Sequence, residues 1–268
     1  MDLESVSLGD LVALRRAKVD ELRVRSFSWG HEKEAAGARA FRLREGRAET
    51  GYALATDQAL LEFSVSPAWR ARANDTLSAA MKSLALTEIR VRTDDGLACE
   101  AALAFASRER WDVRPAGPIY ALETGVLRRP PRPEQTEVRA LGVGDAAQAS
   151  GVLEQDSSIE PELREKESVA LAAREERLWG LYREGSLVGA AVAAPLPTHR
   201  YTAIRPAVLP PHRRCGLATY LVGEVSQALL LANRRLIAEA ERLDRGPRRI
   251  AEHLGLTLAA QHLRIRPL

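Results

Sequence analysis

The chain has 268 residues, of which 46% are hydrophobic and 28% charged, with a net charge of +3. That length accommodates two domains of ordinary size, and no apolar stretch approaches the roughly 18 residues of a membrane span. Basic and acidic residues are nearly balanced within each half, so a nucleic-acid-binding surface has little electrostatic support.

The opening "MDLESVSLGD" is acidic and lacks the basic and apolar regions of a signal peptide. Three segments then appear in order: "SLGDLVAL" (7–14), "LREGRAETGYALA" (43–55) and "VSPAWR" (65–70). "GVLRRPPRPEQ" (125–135) carries three prolines and three arginines without periodicity and reads as a stiff, solvated linker. Beyond it come "GVGDAAQA" (142–149), "YREGSLVGAAVA" (182–193) and "VLPPHR" (208–213), which echo the first three at offsets of 135, 139 and 143. Slowly drifting offsets in conserved order predict an internal duplication. Residues 1–124 form one domain and 136–268 the other, joined by 125–135.

The second copy is read as a short strand "TEVRAL", helices near 144–154 and 161–173, and a hairpin turning at Glu184-Gly185. A strand interrupted by Pro206 follows, then an amphipathic helix over 216–232. Strand "RRLIAEAERL", a short helix with Pro247 in its first turn and strand "LTLAAQHLRIR" complete it. The order describes an α/β (α+β) fold, a mixed and mainly antiparallel sheet flanked by helices. Cys99 and Cys215 have no metal-ligand spacing, which suits a reducing, cytoplasmic setting without disulfide or metal. Abundant alanine and arginine beside only four lysines point to a GC-rich, bacterial coding sequence.

Chemistry concentrates where the strand ending at Val208 meets "HRRCGLAT" and a helix begins. The first amides of a helix have no internal partner and sit at about half a positive charge of macrodipole. Gly216 and Ala218 leave those amides uncovered, and Arg213 and Arg214 add charge, so the parts are those of an anion cradle. Pro206 cannot donate to a central ladder and predicts a splayed, unpaired or bulged strand.

Val208, Pro210, Arg213, Gly216 and Ala218 together resemble the acetyl-CoA signature of the GNAT superfamily of N-acyltransferases, and the element order of 136–268 is similar to theirs. The resemblance implies tandem GNAT-like domains. It also implies acyl transfer from acetyl-CoA, or another acyl-CoA, to a small-molecule or peptide amine by direct attack. The cofactor-binding positions it implies are Ala207, Val208, Arg213, Arg214, Cys215, Gly216, Leu217, Ala218, Thr219 and Asp244.

The pattern departs at the family's acid. Its tyrosine position in "DRGPRRIAEHLGL" is Ala251, which donates no proton. Candidate catalytic groups are Glu239 and Glu241, two apart on one strand face, and Tyr201, with Tyr182 and His253 as further donors. Cys215 sits at a helix start, where thiolates are stabilised, but no histidine stands at a diagnostic spacing. In the first copy Pro67 and Arg70 persist, while Ala73 replaces the glycine and Asp75 puts a carboxylate among the first amides. That copy is expected to fold alike, bind no CoA, and serve in packing, acceptor recognition or dimerisation. Phe27, Trp29 and Trp69 are its candidate apolar contacts. A catalytically inactive module for CoA sensing, binding or assembly is the alternative reading.

Overall fold

The computed structural model describes residues 1–22, 29–122, 126–157, 159–195, 201–240 and 245–268. The first half runs β1 (Asp2–Val6), α1 (Val12–Glu21), α2 (Trp29–Ala36), β2 (Arg39–Glu45), β3 (Ala48–Ala55), β4 (Ala59–Val65), α3 (Ala73–Ser83), β5 (Glu88–Arg92), α4 (Gly96–Glu109) and β6 (Trp111–Ala121). The second begins with β7 (Thr136–Ala140), α5 (Ala146–Leu153), α6 (Pro161–Arg164), α7 (Lys166–Arg174), β8 (Leu178–Arg183) and β9 (Ser186–Pro195). It ends with β10 (Tyr201–Val208), α8 (Leu217–Leu231), β11 (Arg235–Glu239), α9 (Arg245–His253) and β12 (Thr257–Pro267).

Matched segments adopt matched structure. Asp10 accepts from the Ser7 amide ahead of α1, and Asp145 accepts from the Gly142 amide ahead of α5. The β8–β9 hairpin turns where expected, with Glu184 and Gly185 both left-handed at φ 52° and 78°, the pair a tight hairpin requires.

All strands among the described residues join one sheet of 12, in the order β1-β2-β3-β4-β5-β12-β6-β11-β10-β9-β8-β7. It is mixed and mainly antiparallel, as expected; among the described residues only β4·β5 and β10·β11 are parallel. The halves exchange their last strands. β12 lies antiparallel between β5 and β6, and β6 lies antiparallel between β12 and β11. Each half's fifth strand thereby pairs with the other half's last one.

Side chains alternate across the sheet. Ala53, Leu263 and Ile265 pack with α3 and α4, while Tyr52 and Leu54 pack with α2 on the opposite face. In the second half Ala207 packs with α5 and α7, and Val208 with α8 on the reverse. Contact between Glu239 and His262 puts the α1–α2 side and the α5–α7 side on one common face. Among the described residues no helix covers the middle of that face.

Residues 126–135 are mostly exposed, as a solvated spacer would be, but the segment is docked at particular points. Leu127 is buried beside Ala251 and Leu254, and the Arg128 amide donates to Leu254 O at 3.0 Å. Pro130 lies against Gly223 of α8, where a Cβ would come within 2.7 Å of it. Proline and arginine stems here cover an apolar helix groove, which composition alone does not distinguish from solvation.

Strand exchange makes the two halves one cooperative unit. A single unfolding transition is expected by calorimetry, and deletion of 257–268 is expected to abolish it by opening the edges of β5 and β6 together. Two resolved transitions in the intact chain would contradict this.

Candidate functional site

The two parallel pairs are both short. β10 and β11 pair only over Tyr201–Ala203 and Arg235–Ile237, then diverge. The Leu209 amide donates to Val188 O on the β9 side. By strand alternation Ala207 also faces β9, while Ile204, Pro206 and Val208 turn their backbone toward the open side. Pro206 therefore sits unbroken in the β9·β10 ladder, its missing donor on the side where no partner waits. The splay expected from it is present; the strand itself is continuous.

The opening leads to the loop ahead of α8. Arg214 and Gly216 are left-handed, at φ 67° and 82°, a backbone turn that aims successive amides into a concavity. Leu217, Ala218 and Thr219 supply first-turn amides without helical acceptors, and no acidic residue stands in that turn. A Cβ on Gly216 would meet nothing within 4 Å, so the space above it is open. Leu217 is buried under the loop and Ala218 borders the cleft.

The arginines divide their work. Arg213 donates from Nε to Val208 O and from Nη2 to Gln155 O, both at 2.8 Å. Its charge stays beside the loop, but its hydrogen bonds hold the loop in shape. Arg214 is exposed. Cys215 donates its thiol to His212 O and has no histidine arrangement of a nucleophile.

Beyond the loop a cleft of about 990 Å³ passes through the splay. One side is apolar, from Val222, Ala251 and Leu254. The other emerges on the uncovered sheet face, between Glu160 ahead of α6 and His31 and Glu34 of α2. Its floor there is Glu239, Gly117, His262 and Arg264.

Residues 137–253 match the acetyltransferase (GNAT) family model. Over those residues the chain is similar to the GNAT acetyltransferases. Solved structures extend the similarity across both halves. A GNAT-family acetyltransferase from Colwellia psychrerythraea superposes with TM-score 0.85 at 14% identity, covering 100% of each chain. A GCN5-related N-acetyltransferase from Sphaerobacter thermophilus gives 0.65 at 17% identity, covering 99% of this chain and 94% of that one. A tandem GNAT protein from the clavulanic acid biosynthesis pathway gives 0.57 at 15% identity, covering 98% of each. No curated protein matches the sequence significantly.

In this tandem GNAT fold the expected residues scatter. Glu239 reaches the cleft with its side chain 19% exposed and Oε1 3.6 Å from His262 Nε2. That is an electrostatic contact, too long for a hydrogen bond, and buried Oε1 has no hydrogen-bond partner among the described residues. Burial pushes the Glu239 carboxyl up, but His262, Arg205 and Arg92 outweigh burial and hold it below its ordinary range. Glu241 and Asp244 lie outside the described residues, as do Phe27 and the Trp29 side chain.

Other expectations need correction. Tyr201 is 5% exposed at the closed end of the splay, packed with Ile119, Ile237 and Ala259 under Arg235, and does not line the cleft. Tyr182 lies under Arg139, with the guanidinium carbon 4.2 Å from its ring centre, and His253 is exposed. Ala207 turns its backbone to β9 and its side chain into the α5–α7 core. Ala251 does line the cleft at the family's tyrosine position. Reading the sequence missed His262 and Arg264. Their i, i+2 spacing in "LTLAAQHLRIR" was visible, but strand exchange beside Glu239 was not.

The first half repeats the frame with its slot filled. β4 and β5 pair only at Ala59↔Glu88 and Leu60↔Ile89 before diverging. Glu62, at the repeat position of Arg205, occupies the gap. It accepts from Arg15 Nη2 at 2.6 Å, His31 Nε2 at 2.8 Å and the Tyr52 hydroxyl at 2.9 Å. Buried Lys18 pairs with Asp95 alongside. The remaining void is about 40 Å³, room for little beyond water. Residues Pro67–Arg72 form a 3-10 turn running straight into α3 without left-handed residues, and Asp75 stands in the first turn. No side chain at its N-cap bonds the helix start, so Asp75 opposes an anion through charge rather than by replacing it.

Burial would raise the Glu62 carboxyl, but His31 and Arg15 hold it down at about 2, against an ordinary 4.5. A lowered native value stabilises above the ordinary pKa and fades as pH falls from about 4.5 toward about 2. Glu62→Gln is expected to remove that acid-dependent component of stability in urea titrations across pH. Glu62→Ala, which removes the acceptor shared by Arg15, His31 and Tyr52, is expected to cost about 3–5 kcal/mol.

Proposed function

We propose that the protein transfers an acyl group from acyl-CoA, acetyl-CoA in the first instance, to the nitrogen of an amine acceptor. The observation that carries this reading is the alignment of three features on one path: the open amide cradle at Arg214–Thr219, the splayed β10/β11 slot, and the Glu239–His262 pair beyond it. We assign 136–268 as the acyl-CoA-binding domain and 1–124 as the domain that shapes the acceptor side, with 125–135 between them.

The residues present fit the cofactor. Amides of Gly216, Leu217, Ala218 and Thr219 would hold its pyrophosphate, and the open edge of Ile204 and Val208 its pantetheine arm. Arg213 braces the loop from Val208 O and Gln155 O. When bound, acyl-CoA supplies a thioester, an electrophilic carbonyl with a thiolate leaving group. Glu239 Oε1, lacking a partner, receives an N–H of the incoming amine. His262 Nε2 stands 3.6 Å away to take the proton the nitrogen must lose. A depressed carboxylate is a poor base and a good positioning group, which divides the two roles. An ordinary thiol has a pKa near 8.5, so leaving does not demand the acid that Ala251 lacks.

Acetyl-CoA at about 100-fold excess over its Kd is expected to raise Tm by about 5–10 °C. Gly216→Val, forced to a left-handed φ beneath the phosphate, is expected to remove the effect. No shift in the wild type at millimolar acetyl-CoA overturns the cofactor assignment. Release of CoA across an amine panel is expected to fall about 10²–10⁴-fold in His262→Ala with acetyl-CoA binding retained. Ala251 favours one other reading, a module that binds CoA without turnover. Binding with no CoA release on any acceptor would support it.

A further inference from the structure

The acceptor side of the cleft is a valley on the uncovered sheet face. Its charged groups are nearly all committed to one another. Glu34 pairs with Arg90 at 2.5 Å, Glu160 with Arg205 at 3.2 Å, and Glu239 contacts His262 at 3.6 Å. Arg264 differs. It lines the same cleft, its side chain is 51% exposed, and it forms no hydrogen bond among the described residues. Its nearest carboxylate is Glu88, 3.9 Å from Nε.

Glu88 cannot neutralise it. The same carboxylate accepts from Arg90 Nε at 2.7 Å and Arg266 Nε at 2.8 Å. Those two guanidiniums outweigh burial and hold its carboxyl below the ordinary range. Arg264 also stands directly between two like charges in the ladder, Arg90 on β5 and Arg114 on β6. Directly opposed like charges on one sheet face are destabilising. Arg90 is relieved by Glu34 and Glu88, and Arg114 by Asp112. Arg264 keeps an unspent planar fork turned to the cleft, the group suited to a carboxylate.

We propose that Arg264 is the anion anchor of the acceptor site, and that the acceptor is a small amino acid bearing its carboxylate within a few bonds of the reacting amine. His262 and Arg264 are two apart on β12 and share a face, which separates their Cα atoms by about 6.6–6.8 Å. An amine at Glu239 Oε1, beside His262, and a carboxylate on the Arg264 fork lie along this one strand face. A polyamine, carrying only positive charge, finds one open carboxylate oxygen and an uncompensated guanidinium. The inference rests on the acyl-transfer reading for which atom reacts, but not for the binding of the anion.

The test uses matched sets, an α-amino acid, its carboxamide and its decarboxylated amine, with glycine, alanine and glutamate as parents. Binding is measured by calorimetry with and without millimolar CoA, and turnover by CoA release from acetyl-CoA. The acids are expected to bind about 10- to 100-fold more tightly than their carboxamides. Arg264→Gln is expected to erase that preference through KM, bringing the acids to the level of their carboxamides, with Tm unchanged or slightly raised as the opposed charges are relieved. Arg264→Glu is expected to reverse it toward the decarboxylated amines. Arg264-dependent binding of acids without CoA release would uphold the anion anchor and count against acyl transfer. Equal binding of acids and carboxamides, or an acid preference that survives Arg264→Gln, would overturn the proposal, as would no binding of any acid at millimolar concentration.

Discussion

The ladder between β6 and β12 is the interaction on which the rest of the structure depends. These two strands close the chain's two halves, yet each is hydrogen-bonded to the other half's fifth strand. A tandem repeat joined only by a linker would leave two sheets with four edges. Exchanging the last strands leaves one sheet that, among the described residues, ends at β1 and β7, which also removes central edges from reach of other chains. The same exchange carries His262 and Arg264, encoded at the end of the second copy, onto the floor between the halves, and brings α2 of the first copy to the cleft's far wall.

Two copies of one frame meet different fates at the point where their parallel strands part. In the second copy the gap holds the edge of β10 that turns from β9, small side chains, and a loop with left-handed Gly216 that Arg213 braces from Val208 O. In the first it holds Glu62, clamped by Arg15, His31 and Tyr52. Glutamate against arginine at matched positions is one of the differences between the closed slot and the open one, beside the lost left-handed loop and Asp75. Burying that carboxylate is tolerable only because three donors surround it.

Much of this was legible in the sequence. Matched motifs at drifting offsets revealed the duplication, Gly216 and Ala218 marked the cradle, and Pro206 marked the open strand edge, each through a local backbone requirement. What stayed hidden depended on contacts between distant segments. Arg213 looked like a phosphate ligand because its own carbonyl partners, Val208 and Gln155, are set by the folded loop. Tyr201 looked available because a hydroxyl near the motif is chemically suitable, but its strand position lies where β10 and β11 still touch. The proline-rich segment looked solvated because composition does not reveal the groove it covers. His262 and Arg264 read as ordinary strand residues until pairing brought them beside β5, β6 and Glu239.

The central claim is one open slot and one filled slot in a single exchanged sheet. Calorimetric titration of the intact chain with acetyl-CoA tests it most directly through stoichiometry. The account predicts one molecule bound per chain, with binding lost in Gly216→Val. Two molecules per chain would contradict the filled first slot, and none would contradict the open second one.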